Sequence, residues 1–369
     1  MHLVIPVLLV LLASAATSTL ILNQTTPVFL LVSPPSHVVV LVMENQGINQ
    51  TYNCGLNCSY ITSLAGQYGL ARNYSSVAHR SLADYLTFLN GSNFAYPGSP
   101  FAGSSAPGTG NCSPAACRVN GTNILDEITA SGRTWRTYLE DYVGGCHFSD
   151  TSGARSVEYD DNHNPFVYMA EAHTSPAYCA NLVNANPTGT GYLALPTRLL
   201  SDLNNITSRA PNFLWLTPNN CDDGHDVNGT ITSYNKAPSI CPLSNSVVEQ
   251  NNYLQALVPR ILNSTTFTTS PSLLYVTWDE GVVCDASTDP AYPETFPVCI
   301  DRVTTILAGS DAQPSHVSNR GYSHYGFLPT LEEVWGLAPL AGQVSGPTFD
   351  EFLVTFQFAG GGGRRPLAV

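Results

Sequence analysis

Four residues whose side-chain oxygens could bind a cation stand at the carboxyl ends of two segments that are predicted to be buried β-strands. The segments are HVVVLVM, which begins at His37, and LLYVT, which begins at Leu273. Glu44 and Asn45 follow the first segment directly, and Asp279 and Glu280 follow the second after Trp278. A carboxylate buried at a strand end is costly unless it is paired or binds a cation, and such an oxygen set suits a hard divalent cation. Taken singly, either motif, Glu44-Asn45 or Asp279-Glu280, is better interpreted as an ordinary cap of the next turn or helix.

A serine begins a predicted helix. Ser81 opens the pattern SLADYLTFL, which ends at Asn90-Gly91. The positive end of a helix stabilises an alkoxide and attracts a phosphoryl group, and a bound metal would both activate the hydroxyl and polarise the phosphoryl oxygen. Helix capping is the alternative role for this serine. The pattern predicts a nucleophile at Ser81.

Two histidines stand in polar segments on the same predicted edge of the sheet. His225 lies in PNNCDDGHD, which follows the predicted strand Phe213 to Thr217, and His324 precedes the last predicted helix. A lone histidine is usually structural. Two of them near acidic strand ends are candidates for phosphate contacts or metal ligation.

The elements that position these residues alternate between strand and helix. The predicted strands are 37–43, 213–217, 273–277 and 303–308; the predicted helices are 81–89, 134–142, 247–262 and 328–337. This alternation predicts an α/β fold with a mostly parallel central sheet and helices on both faces, whose chemistry lies past the carboxyl ends of the strands. Residues 93–122, rich in Gly, Ser and Pro, are predicted to be a surface insertion.

Composition limits the partners. Of the 369 residues 43% are hydrophobic and only 11% are charged, the net charge is −13, and Lys236 is the only lysine. This balance indicates a folded globular protein and argues against binding nucleic acid through a broad basic surface. A small anionic substrate stays open, because a metal or a few arginines can reverse the field locally.

The N-terminus is typical of an export signal. An apolar run from Leu3 to Leu12 precedes the small-residue sequence ASAA, so residues 1–18 are predicted to be a signal peptide. An uncleaved membrane anchor is the alternative, although the run is short for a bilayer span. No other segment is long and apolar enough to span a membrane. We therefore expect a secreted or cell-surface protein with a catalytic domain over 34–340 and a C-terminal tail over 341–369.

Ten cysteines agree with export, because disulfides belong to oxidising compartments. They lack C-x-x-C pairs, which disfavours structural zinc. Pairing in sequence order is the hypothesis: 54–58, 112–117, 146–179, 221–241 and 284–299. Ten N-x-S/T sequons are potential glycan sites in an exported chain: Asn23, Asn49, Asn57, Asn73, Asn90, Asn111, Asn120, Asn205, Asn228 and Asn263.

Five motifs, in their order along the chain, resemble those of the phosphoesterase family. That family holds acid phosphatases and bacterial-type phospholipases C within the alkaline phosphatase-like superfamily. The motifs are VMEN, HRSL about 37 residues on, PN…HD, TWDEG, and SHYGFL before a TLEE helix. The likeness runs from about His37 to Leu337 and includes AxxYGLA and HNPFVY. Any one motif is weak, but five in the right order argue against chance.

The resemblance implies roles for individual residues. One divalent metal ion would be held by Glu44, Asn45, Ser81, Asp279 and Glu280. Ser81 would attack phosphorus and form a phosphoserine that water hydrolyses. His225 and His324 would bind the phosphoryl group or act as acid and base, and His79 would contact substrate. Asp222 and His163 would be substrate-binding or supporting groups.

One position departs from the family pattern. The family has asparagine three residues after the nucleophile, where it donates to a phosphate oxygen, and this chain has Asp84. An ionised carboxylate there would repel phosphate, whereas a protonated one would donate as the amide does. The departure predicts an acidic pH optimum, unless Asp84 points away from the site.

The finer function stays open between three interpretations. The short stretch after Leu337 favours a monoesterase, an acid phosphatase, over the longer phospholipases C of the family. The alternatives are a phosphodiesterase or phospholipase C, and a catalytically inactive glycosylated cell-surface protein. The metal is open among Mg²⁺, Mn²⁺, Ca²⁺, Zn²⁺ and iron, and a second ion on Asp222, His225 and His324 is a further hypothesis.

Overall fold

The computed structural model describes residues 33–79, 81–94, 113–115, 117–148, 158–206, 210–231, 238–281 and 301–358. The predicted signal peptide and most of the predicted insertion at 93–122 lie outside these ranges. Within them, no helix is both long enough and apolar enough to cross a membrane.

In the described part of the chain, a mostly parallel sheet of eight strands forms the centre of the fold, in the order β5-β4-β6-β1-β7-β8-β2-β9. Among the described strands of this sheet, only β8 runs antiparallel to its neighbours, β7 and β2. A separate parallel pair joins β3 to β10. The strands are β1 His37–Met43, β2 Gly69–Ala71, β3 Tyr74–Ser75, β4 Trp135–Leu139, β5 Leu182–Asn184, β6 Phe213–Thr217, β7 Ser272–Trp278, β8 Thr305–Ala308, β9 Val317–Ser318 and β10 Tyr322–Ser323.

Strand β1 lies between β6 and β7, and all seven of its residues are buried. Its run of β-branched residues suits a strand that is covered on both faces. The register pairs Val40 with Trp215 of β6 and Met43 with Trp278 of β7. The carboxyl ends of β1 and β7 therefore lie side by side, as their acidic neighbours require.

Helices cover the sheet in two groups. Helix α7 packs against α2, α6 and α8, whereas α3 packs against α4 and α9. Alternate residues of a strand face opposite sides of a sheet, so Tyr275 and Trp278 of β7, three residues apart, face opposite sides. Phe88 of α3 contacts the rings of Trp215 and Tyr275, whereas Gln250 of α7 accepts a hydrogen bond from Trp278. The two groups of helices therefore cover opposite faces of the sheet. The helices are α1 Ile48–Thr51, α2 Ser59–Gln67, α3 Ser81–Asn90, α4 Ile124–Ala130, α5 Pro176–Cys179, α6 Thr197–Leu203, α7 Ser246–Leu262, α8 Thr265–Thr269, α9 Phe327–Trp335 and α10 Val354–Phe358.

One predicted element is wrong. The pattern over 134–142 predicts a helix, but Trp135–Leu139 is strand β4, paired in parallel with β5 and β6. In the segment 134–142, the charged residues Arg136, Glu140 and Asp141 mimic a polar helix face. In the structure Arg136 forms an ion pair with Asp202 of α6 at 2.7 Å, so the charge is neutralised beside the sheet. The other predicted strands and helices form within a few residues of their expected bounds.

Three of the five predicted disulfides are confirmed: Cys54–Cys58, Cys146–Cys179 and Cys221–Cys241. The pairs 112–117 and 284–299 each include residues outside the described ranges. No cysteine in the described part of the chain is free.

Residues beyond 340 add to the core. Phe349, Phe352 and Leu353 are buried, and the Phe349 ring lies against Tyr74 and Tyr275. The predicted domain limits stay predictions.

Candidate active site

The end of β1 and the start of α3 bring Glu44 and Ser81 together. The Ser81 hydroxyl donates to Glu44 Oε2 at 3.1 Å, and Glu44 is fully buried. Asn45 Nδ2 donates to the same oxygen at 3.3 Å, while its backbone N–H donates to Asp279 Oδ1 at 3.1 Å. Asn45 has a φ of 56°, a left-handed conformation that asparagine tolerates better than most residues. Four of the predicted metal ligands therefore adjoin one another.

This cluster carries more negative charge than its hydrogen bonds compensate. Burial, and then the charges of Asp279 and Asp223, raise the pKa of Glu44 well above its usual value. Glu44 Oε1 and Asp279 Oδ2 are buried and accept no hydrogen bond from the described residues. Buried carboxylates without donors are costly unless a cation neutralises them. The side-chain oxygens of this cluster fit a divalent cation as ligands.

Glu280, the fifth predicted ligand, is buried, and its Oε2 lies 3.7 Å from His79 Nδ1. The same nitrogen is 3.0 Å from Asp301 Oδ2, which also accepts the Gly281 N–H. Asp301 thus orients His79, whose side chain is 19% exposed and accessible to a ligand. Asp301 is not among the residues predicted from the sequence, because it lies outside every motif.

His163 lies buried between two carboxylates. Its Nε2 is 3.3 Å from Glu44 Oε1, and its Nδ1 is 3.3 Å from Asp223 Oδ2. The ring stacks on Tyr85 of α3, with 5.7 Å between centroids. The structure therefore places His163 beside Glu44. Asp223 and Tyr85 are not among the predicted residues, although PNNCDDGHD contains the first of them.

His225 lies beside His163, with 5.0 Å between ring centroids. Its Nδ1 is 3.0 Å from Asp226 Oδ1, and its backbone N–H donates to Asp223 Oδ1 at 2.8 Å. Burial alone would lower the pKa of His225, but the hydrogen bond and charge of Asp226, with the charge of Asp223, raise that pKa to about 9.

Asp222 belongs to a different buried cluster. Its carboxylate accepts from the Leu193 N–H at 2.8 Å and from Asn219 Nδ2 at 3.2 Å. The Asn219 side chain also donates to Glu140. Gly224, with a φ of 83°, makes the turn that follows the two aspartates, and a Cβ there would lie 2.5 Å from the Gln250 side chain. Of the two neighbouring aspartates, Asp223 and not Asp222 faces His163.

His324 is fully buried beside β7. Its Nε2 is 2.7 Å from the Asp279 carbonyl oxygen, and its Nδ1 is 2.8 Å from the Tyr74 hydroxyl. Burial lowers the pKa of His324 to about 3, only partly opposed by the bond to Asp279. The Asp222, His225 and His324 side chains do not form a three-ligand group among the described residues.

Asp84 is fully buried on the first turn of α3. Its Oδ1 accepts the backbone N–H groups of Val77 and Ala78 at 2.9 and 3.0 Å and lies 3.5 Å from His324 Nε2. Burial, and then the charge of Asp279, raise the pKa of Asp84 well above its usual value. Asp84 Oδ2, which accepts no hydrogen bond from the described residues, suits a bound proton.

Several curated proteins share 24% identity with this chain, among them the following three. A "Probable acid phosphatase" of Kluyveromyces lactis matches over 79% of this chain and 57% of its own length. A "Phosphatidylinositol-3-phosphatase" of Mycobacterium tuberculosis matches over 82% and 77%. A "Phosphate-repressible acid phosphatase" of Penicillium chrysogenum matches over 76% and 55%. The chain thus spans little more than half the length of the two fungal relatives.

Solved structures share the fold at low identity. A protein of the alkaline phosphatase superfamily from Vibrio parahaemolyticus superposes with a TM-score of 0.54 at 12% identity, over 85% of this chain and 69% of that one. The PsFucS1 sulfatase from Pseudoalteromonas sp. gives 0.51 at 13% identity, over 85% and 70%. The fold is alkaline phosphatase-like. The phosphoesterase family model matches residues 55–338, and the chain belongs to the phosphoesterase family.

Proposed function

We propose that this chain is a phosphoric monoester hydrolase of the acid phosphatase type that acts through Ser81. The observation that carries the proposal is the 3.1 Å contact from Ser81 Oγ to the buried Glu44, at the point where α3 begins. A nucleophile at a helix N-terminus is favourably placed for an anionic phosphoryl group.

The reaction has two displacements at phosphorus. Ser81 passes its hydroxyl proton to Glu44 Oε2 as Oγ attacks phosphorus, a phosphoserine bond forms, and the ester bond to the leaving alcohol breaks. Water then cleaves the phosphoserine and releases phosphate. His79, whose Nδ1 is 3.0 Å from Asp301 Oδ2, would give a proton to the leaving oxygen. A divalent cation on Glu44, Asn45, Ser81, Asp279 and Glu280 would stabilise the charge on the phosphoryl oxygens.

Composition supports the proposed substrate class, and the disulfides support the proposed location. The acidic chain suits a small phosphate ester whose charge is neutralised within the site, and it disfavours nucleic acid. We propose secretion, because buried disulfides such as Cys221–Cys241 require an oxidising compartment. The predicted signal peptide and N-glycans belong to the same proposal.

Hydrolysis of p-nitrophenyl phosphate from pH 3 to 9, with and without chelator, tests the activity. The wild type should turn over best at acidic pH, and Ser81→Ala should lose at least about 10³-fold in kcat. Ser131→Ala, an exposed serine at the end of α4, is the matched control and should keep full activity.

Bis(p-nitrophenyl) phosphate separates monoesterase from diesterase. Faster turnover of the bis-ester than of the monoester by the wild type would replace the proposal with a phosphodiesterase. No turnover of either ester, after a panel of divalent metals has been restored, would favour a non-catalytic surface protein.

A further inference from the structure

The two carboxylate oxygens of Glu44 face different partners. Oε2 receives the Ser81 hydroxyl and the Asn45 amide, whereas Oε1 faces His163 Nε2. Oε1 accepts no hydrogen bond from the described residues. One oxygen is therefore used at the nucleophile, and the other is directed towards the histidines.

Both nearby histidines have their Nδ1 atoms next to carboxylates. His163 Nδ1 lies 3.3 Å from Asp223 Oδ2, and His225 Nδ1 lies 3.0 Å from Asp226 Oδ1. A histidine that binds a metal through one ring nitrogen almost always gives the other N–H to a carboxylate or a carbonyl. The arrangement leaves Nε2 of each ring as the nitrogen available to a metal.

These groups converge on one point. One ligand atom each from Glu44, His163 and His225 all lie within 4.8 Å of one another. Within the described ranges, no arginine or lysine forms an ion pair with Glu44, Asp223 or Asp226. Among the described residues one other group of this kind occurs, Glu158 with Cys221 and Cys241, and it offers no thiolates because its cysteines form a disulfide.

We propose that Glu44 Oε1, His163 and His225 bind a divalent transition-metal ion of the Zn²⁺ class, oriented by Asp223 and Asp226. Two imidazoles and one carboxylate favour Zn²⁺ over Mg²⁺ or Ca²⁺. This site is distinct from the oxygen-rich set at Asp279, and Glu44 belongs to both. Of the roles predicted for His225 from the sequence, the site favours metal ligation, with Glu44 and His163 as the other ligands in place of Asp222 and His324.

The test measures Zn²⁺ binding to the chelator-treated full chain by calorimetry and elemental analysis. The absorption spectrum of the Co²⁺-loaded chain reports whether nitrogen ligands bind the metal. The wild type should bind one tight Zn²⁺ that His163→Ala and His225→Ala lose and that Asp279→Asn keeps. Asp223→Asn should weaken it about 10- to 100-fold. His316→Ala, on a histidine beside Glu351, should bind as the wild type does.

Retention of the tight Zn²⁺ by His163→Ala, or its equal loss in Asp279→Asn, would overturn the site. If His163→Ala does not fold, as judged by near-ultraviolet circular dichroism, the isosteric Asp223→Asn decides, and unchanged affinity there overturns the site. Turnover of p-nitrophenyl phosphate by a wild type that binds no tight Zn²⁺ would reject this site and leave the proposed function standing. Tight Zn²⁺ binding without turnover of any ester would support the site and reject the function.

Discussion

His324 Nε2 lies 2.7 Å from the carbonyl oxygen of Asp279, so the histidine fixes the backbone at the end of β7. The Tyr74 hydroxyl at Nδ1 completes the arrangement. With a pKa near 3, His324 is a neutral imidazole that donates through Nε2 and accepts through Nδ1. Its contacts describe a positioning residue for Asp279.

We therefore expect His324→Ala to reduce the free energy of unfolding by about 1 to 3 kcal/mol, because it leaves a buried carbonyl without a donor. Tyr74→Phe removes only the hydroxyl and should cost less. Urea denaturation at pH 5 measures both. A smaller loss in His324→Ala than in Tyr74→Phe would contradict this role.

Asp84→Asn should extend activity to higher pH. The raised pKa keeps Asp84 protonated where an exposed aspartate would ionise, and an amide stays neutral at every pH. The side-chain oxygen of the introduced asparagine would still accept the N–H groups of Val77 and Ala78, so the local backbone should be preserved. The measurement is the pH profile of kcat/KM. A profile that overlays the wild type would show that Asp84 does not set the alkaline limb.

Glu249→Gln should stabilise the protein at neutral pH. Glu249 Oε1 accepts the Leu243 N–H, Oε2 has no hydrogen-bond partner among the described residues, and burial raises the pKa to about 8 from 4.5. The folded chain holds this proton more tightly than the unfolded chain does. Its stabilising contribution is therefore complete below about pH 4.5 and is lost as the pH rises to about 8.

The free energies of unfolding of Glu249→Gln and wild type should accordingly diverge with rising pH, with the variant ahead by at least about 1 kcal/mol at pH 8. Thermal denaturation at pH 4 and pH 8 checks this. Glu333→Gln, an exposed glutamate on α9, is the control and should show no such divergence. Parallel curves for Glu249→Gln and wild type would refute the assignment.

Removing the Cys221–Cys241 disulfide should impair both stability and activity. The bond closes a segment of 20 residues and begins two residues before Asp223, so its loss releases the segment that also carries His225. We expect the Cys221→Ala/Cys241→Ala double variant to lose about 3 kcal/mol and most turnover. The Cys54→Ala/Cys58→Ala double variant, with a separation of 4 residues, should lose less of both. Equal losses would show that the location of the bond is unimportant.

The sequence predicted what depends on local pattern. The continuous run of β1 identified a strand buried on both faces, and the serine at the start of α3 identified the helix end. It failed where a distant partner decides. Arg136 looks like part of a polar helix face until its ion pair with Asp202 is known, and the strand propensity of its neighbours then prevails.

The site shows the same division. Glu44 and Asp279 were identifiable because they follow buried strands directly, and Ser81 because it opens a helix. The choice between Asp222 and Asp223 was not identifiable, because the two are identical in type and adjacent. Only the three-dimensional course of the chain directs one carboxylate to His163 and the other to the Leu193 N–H.

The central position of β1 has a consequence for biosynthesis. This strand is made before both of its partners, which begin at Phe213 and Ser272. During translation an apolar strand with two unpaired edges must wait until both partners have been made, which exposes it to aggregation. Heterologous expression should therefore depend on chaperone supply and on slow synthesis more than on the stability of the finished protein.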